Sequence, residues 1–352
     1  KGFNKAGGDS TLSNSNNTPT EYTRKNSNMS VEEYLNRGME RLNSENYNGA
    51  ISDFTNAIRT KPDYGSAYFH RAETKYRLKD YYGSVEDLSK VIEINPNNNN
   101  AYSYRGLAKD ALKDYNGAIV DHTKAIEIDP NYTKAYNNRG ISKKNLKDYY
   151  GAIVDHTKAI ELDPKNTYAY NNRGLSKSRL KDEYGAISDY TKAIELEPNN
   201  ASYFNRGLSK VDLKDYYGAI ADFTKAIEFD PNDSAAYNNR GGSKKELKDF
   251  KGAIEDFTKS IEIDPNYSYA YKNRGNSKYR LKDNYGAISD YTKAIELDPN
   301  IAYFYLLRGD LKLDMEDLGG ACKDFKKSIS LGDNSNREFV SEYCNFWILQ
   351  IT

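Results

Sequence analysis

The apolar and small residues of this 352-residue chain fall into one pattern that returns along its length. Between Asn100 and Pro130, the spacing of Tyr102, Gly106 and Leu112 predicts one helix, and that of Ala118, Ile119, His122, Ala125 and Ile126 predicts a second. Asp114 stands where it caps the second helix. Asp129-Pro130-Asn131 ends it, because proline cannot continue a helix and turns its predecessor away from helical angles. Prolines recur at Pro62, Pro96, Pro130, Pro164, Pro198, Pro231, Pro265 and Pro299, in steps of 34 residues with a single step of 33. Nine copies of the helical hairpin follow: 31–64, 65–98, 99–132, 133–166, 167–200, 201–233, 234–267, 268–301 and 302–335. One hairpin cannot bury its apolar face alone, so each copy is expected to stack on its neighbours.

Composition narrows the function classes. The hydrophobic content is only 38%, yet 32 Tyr and 24 Gly keep the chain above the composition of a disordered one, so it is expected to fold. With 51 basic and 51 acidic side chains the formal net charge is +0, which gives no global field towards nucleic acid or an anionic membrane surface. Tyrosines suggest an RNA platform in the abstract, but Tyr34, Tyr102 and Tyr136 occupy packing positions without a phosphate track beside them. The longest apolar run, Ile301 to Leu307, falls far short of the roughly 20 residues of a membrane helix, so a soluble protein with no membrane partner is expected. The chain starts at Lys1 rather than Met, so an upstream export signal or a larger parent protein is compatible with it. The compartment stays open between cytoplasmic and exported.

Catalysis requires converging reactive groups, and the chain holds three His and two Cys. His122 and His156 stand at the second-helix position that elsewhere reads Phe54, Leu88, Tyr190, Phe223, Phe257, Tyr291 and Phe325, which makes them core residues. His70 reads as a contact residue rather than a base. No metal-ligand spacing, Gly-rich phosphate loop or nucleophile elbow occurs, because the recurrent glycines belong to the repeat. The expectation is a non-enzymatic protein without cofactor or metal.

The 34-residue spacing, the Tyr-x-x-x-Gly start, the Tyr-x-x-Ala-Ile centre and the Asp-Pro-Asn end together resemble the tetratricopeptide repeat family over residues 31–335. The resemblance implies an all-α fold, a right-handed superhelical α-solenoid. Its inner groove would be lined mainly by first helices and would hold a peptide or protein segment. One family mode, a clamp on a C-terminal carboxylate, begins with Lys272 and Asn276, but the next copy offers Leu307 and the clamp is rejected.

Two internal positions depart from the family pattern. Where a Leu is usual before the first-helix glycine, this chain has Arg in every copy, from Arg37 through Arg105, Arg139 and Arg173 to Arg308. The second helix answers each with Asp, from Asp53 through Asp121, Asp155 and Asp189 to Asp324. In an antiparallel hairpin these lie at one height, so a structural Arg–Asp ladder is predicted. The alternative, arginines facing the groove to bind acidic targets, fits the matched Asp less well. A later aromatic is replaced by Arg41 or by Lys75 to Lys312, expected to snorkel between layers. Ala72 stands where the other copies have glycine and is expected to fit.

The first-helix positions that the resemblance assigns to the groove carry Asn138, Asn172, Asn205, Asn239 and Asn273, with Asn36 an outlier near the start. A carboxamide offers both a donor and an acceptor, as a peptide backbone requires, and asks nothing of the bound sequence. First helices about 10 Å apart and a ligand rising about 3.3 Å per residue put one rung at roughly every third ligand residue. Asn137, Asn171 and Asn238 would widen the track, and Lys134, Lys144, Arg179, Lys272 and Arg280 would bias it towards acidic segments. The row resembles the groove asparagines of tetratricopeptide modules that grip extended peptides along their backbone. The bland reading is solvated asparagine in an Asn-rich chain.

At the ends, residues 1–30 are an Asn/Ser/Thr-rich tail with little to bury, and 336–352, with Phe339, Tyr343, Phe346, Trp347 and Leu349, read as a capping helix. If that helix folds onto the last hairpin, Cys322 and Cys344 meet and bond in an oxidising compartment. The leading expectation is a scaffold that binds an extended protein or peptide segment. The alternatives are a structural solenoid that self-associates through tail or end helix, and the regulatory module of a larger enzyme.

Overall fold

Each second helix begins where an aspartate or asparagine side chain takes up a free backbone N–H. In a computed structural model that describes residues 29–344, Asp114 accepts from Gly117 N at 3.0 Å, Asp182 from Gly185 N at 3.0 Å and Asp283 from Gly286 N at 2.9 Å. The turn before it uses a left-handed residue that is not glycine: Lys113, Lys147, Lys181 and Lys214 have φ of 64°, 65°, 64° and 62°. Beside Lys181, Asp182 N donates to Lys177 O at 3.0 Å and Lys181 N to Ser178 O at 2.9 Å, which closes the first helix by satisfying its last carbonyls.

Among the described residues there are nineteen helices and no strand. Two compact units divide at Ser142 and Lys143. The first holds α1 (Val31–Asn43), α2 (Tyr47–Thr60), α3 (Gly65–Arg77), α4 (Tyr81–Ile94), α5 (Asn99–Ala111), α6 (Tyr115–Ile128) and most of α7 (Thr133–Asn145). The second holds α8 (Tyr149–Leu162), α9 (Thr167–Arg179), α10 (Glu183–Leu196), α11 (Asn200–Asp212), α12 (Tyr216–Phe229), α13 (Ser234–Glu246), α14 (Phe250–Ile263), α15 (Ser268–Arg280), α16 (Asn284–Leu297), α17 (Ala302–Asp314), α18 (Leu318–Ser330) and the short α19 (Arg337–Tyr343). Within each unit helices pack in chain order, and first helices of successive pairs also touch, α1 on α3 in one unit and α9 on α11 in the other. This is the all-α stacking of helix pairs that the repeat predicts.

The single 33-residue step is absorbed in one turn. Asn199 caps α11 from an extended conformation (φ −152°, ψ 161°), whereas Asn166 caps α9 at φ −75°, ψ 88°. Asn200, placed by the proline spacing at the end of the fifth copy, is therefore the first residue of α11.

The core of each hairpin is one large side chain set against a glycine. A Cβ built on Gly207 would stand 2.8 Å from the Phe223 ring, and one on Gly174 2.8 Å from Tyr190. Ala72 is fully buried opposite Leu88, the narrower partner. His122 and His156 take the ring position and are fully buried.

The capping segment is helical over Arg337–Tyr343, and residues 345–352 with Phe346, Trp347 and Leu349 lie outside the described residues, as do residues 1–28 of the tail. Phe339 packs edge-on against Phe325 at 5.5 Å between ring centres, and Cys322 and Cys344 are disulfide-bonded with Cα atoms 5.5 Å apart.

Candidate functional site

The Arg–Asp pairs lie inside the repeats. Arg105 donates through Nε and Nη2 to Asp121 at 2.9 and 2.6 Å, Arg173 to Asp189 at 2.9 and 2.6 Å, and Arg206 to Asp222 at 2.9 and 2.6 Å. The aspartates are buried. The third guanidinium nitrogen reaches back to the preceding second helix, Arg105 Nη1 to Ser89 at 3.1 Å and Arg173 Nη1 to Thr157 at 3.1 Å. Tyrosine rings lie under the guanidinium groups, Tyr102 beneath Arg105 and Tyr170 beneath Arg173, each at 5.6 Å. The hydrogen bond to Asp222 holds Arg206 above its ordinary pKa despite burial.

These arginines therefore tie three elements together and are not open to an acidic target. Arg139 donates to Thr123 at 3.1 Å and lies over Tyr136, and Asp155 accepts from Lys143 at 2.7 Å. The later basic residue does not snorkel between layers. Lys177 reaches Asp189 at 2.8 Å, Lys109 reaches Asp121 at 2.7 Å and Arg41 reaches Asp53 at 2.8 Å, because a buried carboxylate held by one guanidinium still has lone pairs to satisfy.

The other first-helix face carries the asparagines. In the second unit Asn172, Asn205, Asn239 and Asn273 stand half-buried at one position of α9, α11, α13 and α15. Asn172 accepts from Lys144 Nζ at 2.9 Å and donates to Tyr168 O at 3.0 Å, Asn239 donates to Ala235 O at 2.8 Å, and Asn273 donates to Asn238 Oδ1 at 2.9 Å. The adjacent position is used in the seams between helices. Asn171 Oδ1 accepts from Ser202 at 3.0 Å, and the buried Asn238 donates to the Tyr267 hydroxyl at 3.3 Å, so these two hold helices together rather than widening a track.

In the first unit Asn137 and Asn138 are half-buried and Lys134 is exposed. His70, which the sequence gives as a contact residue, is stacked on Phe54 at 5.9 Å and stands 3.6 Å from Glu73.

The basic residues of the second unit's face are partly sunk. Burial, with Arg179 nearby, lowers the pKa of Lys144, and burial with Lys245 nearby lowers that of Lys272, whose Nζ lies 5.6 Å from the centre of the Tyr269 ring. Arg179 and Arg280 are exposed. Arg280 stacks over Phe250 at 5.6 Å, on the rim of a cavity of about 510 Å³ framed by α13, α15 and α17. This cavity, to which Leu307, Asp310 and Leu311 contribute, was missed by sequence reasoning because it arises where the last copies break the pattern. The only signal was Leu307 at the end of the asparagine row.

Models of the tetratricopeptide repeat match residues 35–99, 133–166, 167–200, 201–233, 234–267 and 268–301. The chain belongs to the tetratricopeptide repeat family. Such repeats in general serve protein interactions, and the chain is a protein-interaction scaffold.

No curated protein matches the chain. Among solved structures it is similar to a tetratricopeptide repeat protein from Parabacteroides merdae, with 22% identity over 69% of this chain and 97% of that one and a TM-score of 0.54. It is also similar to the APC/C hetero-tetramer Cut9–Hcn1, with 15% identity over 88% of this chain and 75% of that one and a TM-score of 0.53. A third is YrrB, described as a TPR protein with an unusual peptide-binding site, with 23% identity, 56% and 98% coverage and a TM-score of 0.47. At these identities the likeness concerns the fold. Among the described residues no helix is long and apolar enough to cross a membrane.

Proposed function

We propose that the first-helix face of residues 143–344 binds a protein segment in extended conformation, reading its backbone rather than its side chains. The observation that carries this reading is the row Asn172, Asn205, Asn239 and Asn273, one carboxamide per repeat at one half-buried position. Intramolecular bonds fix the orientation of three of them. Each carboxamide has two N–H groups and two acceptor lone pairs, so a held asparagine still has one of each to offer a ligand. Pre-oriented groups lose less entropy on binding. The exposed Arg179 and Arg280 favour acidic residues in the segment, an attraction that salt should weaken. The reading is of a non-enzymatic scaffold.

The test uses peptides selected from a random display library on the full chain, with affinity then measured by fluorescence polarisation. Replacing Asn172, Asn205 and Asn239 by Ala removes three contacts of about 0.5–1.5 kcal/mol each and should weaken binding by roughly ten-fold or more, with helicity by circular dichroism unchanged. Equal affinity for the folded triple variant refutes the proposal.

A further inference from the structure

The asparagine row ends at α17, where the equivalent residue is Leu307 and the wall opens into the cavity framed by α13, α15 and α17. We infer that this cavity is an anchor pocket for one aromatic side chain carrying a hydrogen-bond donor, tyrosine or tryptophan, of the bound segment. The inference rests on the peptide-binding reading of the same face and adds a side-chain requirement to it.

Four observations converge. The cavity, about 510 Å³, has room for the largest side chain, and its interior is apolar through Leu307, the buried Leu311 and the edge of Phe250. Arg280 lies over the Phe250 ring at 5.6 Å while remaining exposed, so its other face is available to a second ring, the sandwich in which a guanidinium binds aromatics well. Asn276 accepts the Tyr291 hydroxyl at 2.8 Å, which orients its amide and leaves N–H groups to donate to a phenol oxygen. Asp310 has no cationic partner among the described residues. Its one hydrogen bond there comes from Asn336 at 3.3 Å, which leaves it an acceptor for a phenol O–H or indole N–H.

Lys245 and Glu246, also on the rim, pair with each other at 3.0 Å and cancel locally. The exposed Lys248 adds a second cation, unpaired among the described residues, to the rim, so a cationic ligand would be repelled by Arg280 and Lys248 and an anionic one by Asp310, whereas a neutral aromatic donor uses Arg280 through its ring and Asp310 through its hydrogen. Partial desolvation of the Asp310 carboxyl, with Asp314 and Asp333 near it, raises its pKa and makes it a stronger acceptor, although the residue as a whole is exposed.

The experiment titrates the full chain with N-acetyl-L-tyrosinamide, N-acetyl-L-tryptophanamide, N-acetyl-L-phenylalaninamide and N-acetyl-L-leucinamide, followed by saturation-transfer NMR. The tyrosine and tryptophan probes should bind at least five-fold more tightly than the phenylalanine probe, and the leucine probe least. Asp310→Ala should bring the tyrosine probe down to the level of the phenylalanine probe, and Leu307→Arg, which fills the cavity, should abolish binding of all four with circular dichroism unchanged. If no aromatic probe binds the wild-type chain, if the four bind alike, or if folded Leu307→Arg binds as wild type does, the pocket is overturned.

The Asn172, Asn205 and Asn239 triple alanine variant separates this idea from the one it rests on. It should keep wild-type affinity for the tyrosine probe while losing the extended peptide. Loss of the tyrosine probe in that variant, without loss of helicity, counts against the pocket, whereas retention of the peptide counts against the backbone-reading row.

Discussion

Asp189 shows how much a single side chain holds in this fold. It is buried, takes two hydrogen bonds from Arg173 and one ion pair from Lys177, and through Arg173 is linked to Thr157 of the preceding repeat. Removing a buried partner leaves the remaining charges to find other contacts. Because Arg173 and Lys177 keep 16% and 21% exposure, they can turn to water, and the cost should lie below that of a fully buried pair. Asp189→Ala should therefore destabilise by about 2–3 kcal/mol in urea unfolding, and Asp189→Asn by nearly as much, since the amide supplies no charge. A change below about 0.5 kcal/mol would show that the ladder is ornamental.

His156 gives the molecule a pH dependence of known sign. Burial, with Lys144 adding to it, lowers its pKa from 6.5 to about 4. The folded state therefore refuses a proton that the unfolded chain accepts. The stability present above the ordinary value is lost as pH falls from about 6.5 towards 4, by on the order of 3 kcal/mol from this group. His156→Phe, the residue found at the equivalent Phe223 and Phe257, should flatten that part of the stability–pH curve measured by denaturant titration.

At the scale of the hairpin, the pairing of small against large residues is the governing constraint. Glycine in a helix costs roughly 1 kcal/mol relative to alanine, yet seven of the described ring positions face a glycine that leaves less than 3 Å for a Cβ, while Ala72 faces Leu88. Gly207→Ala alone should destabilise by about 1–3 kcal/mol through the clash with Phe223, and Gly207→Ala combined with Phe223→Leu should recover part of that loss, reproducing the Ala72–Leu88 pair. Thermal unfolding of the two variants checks this, and a double variant worse than the sum of its parts contradicts it. The caps act at the same scale. Asp182→Ala frees Gly185 N at the start of α10 and should cost about 1 kcal/mol.

For the whole molecule, stability is a sum over repeats and their nearest-neighbour contacts, so the ends are its weakest places. The last pair is closed by α19 and by a disulfide spanning 22 residues, a loop for which chain entropy gives about 3 kcal/mol. Thiol titration should find no free cysteine in the unreduced chain and two after treatment with a dithiol, and reduction should accelerate amide exchange in α18 while leaving α11 to α14 unchanged. Free thiols in protein prepared under oxidising conditions would contradict this.

The one-dimensional pattern was enough for the repeat, the aspartate cap and the pairing of arginines such as Arg105, Arg173 and Arg206 with an aspartate sixteen positions on, because these arise within a single hairpin, whose contacts are short-range and repeated. It was not enough for contacts made from one repeat to the next. That Arg173 reaches Thr157, and that Asn171 and Asn238 are used in seams while Asn172 and Asn239 stay partly available, depend on how neighbouring hairpins are set against each other. The cavity beside Arg280 and Leu307 is of the same kind. Its walls come from three successive repeats, with side chains from α13 through to α17, and only packing decides that the space between them is left unfilled.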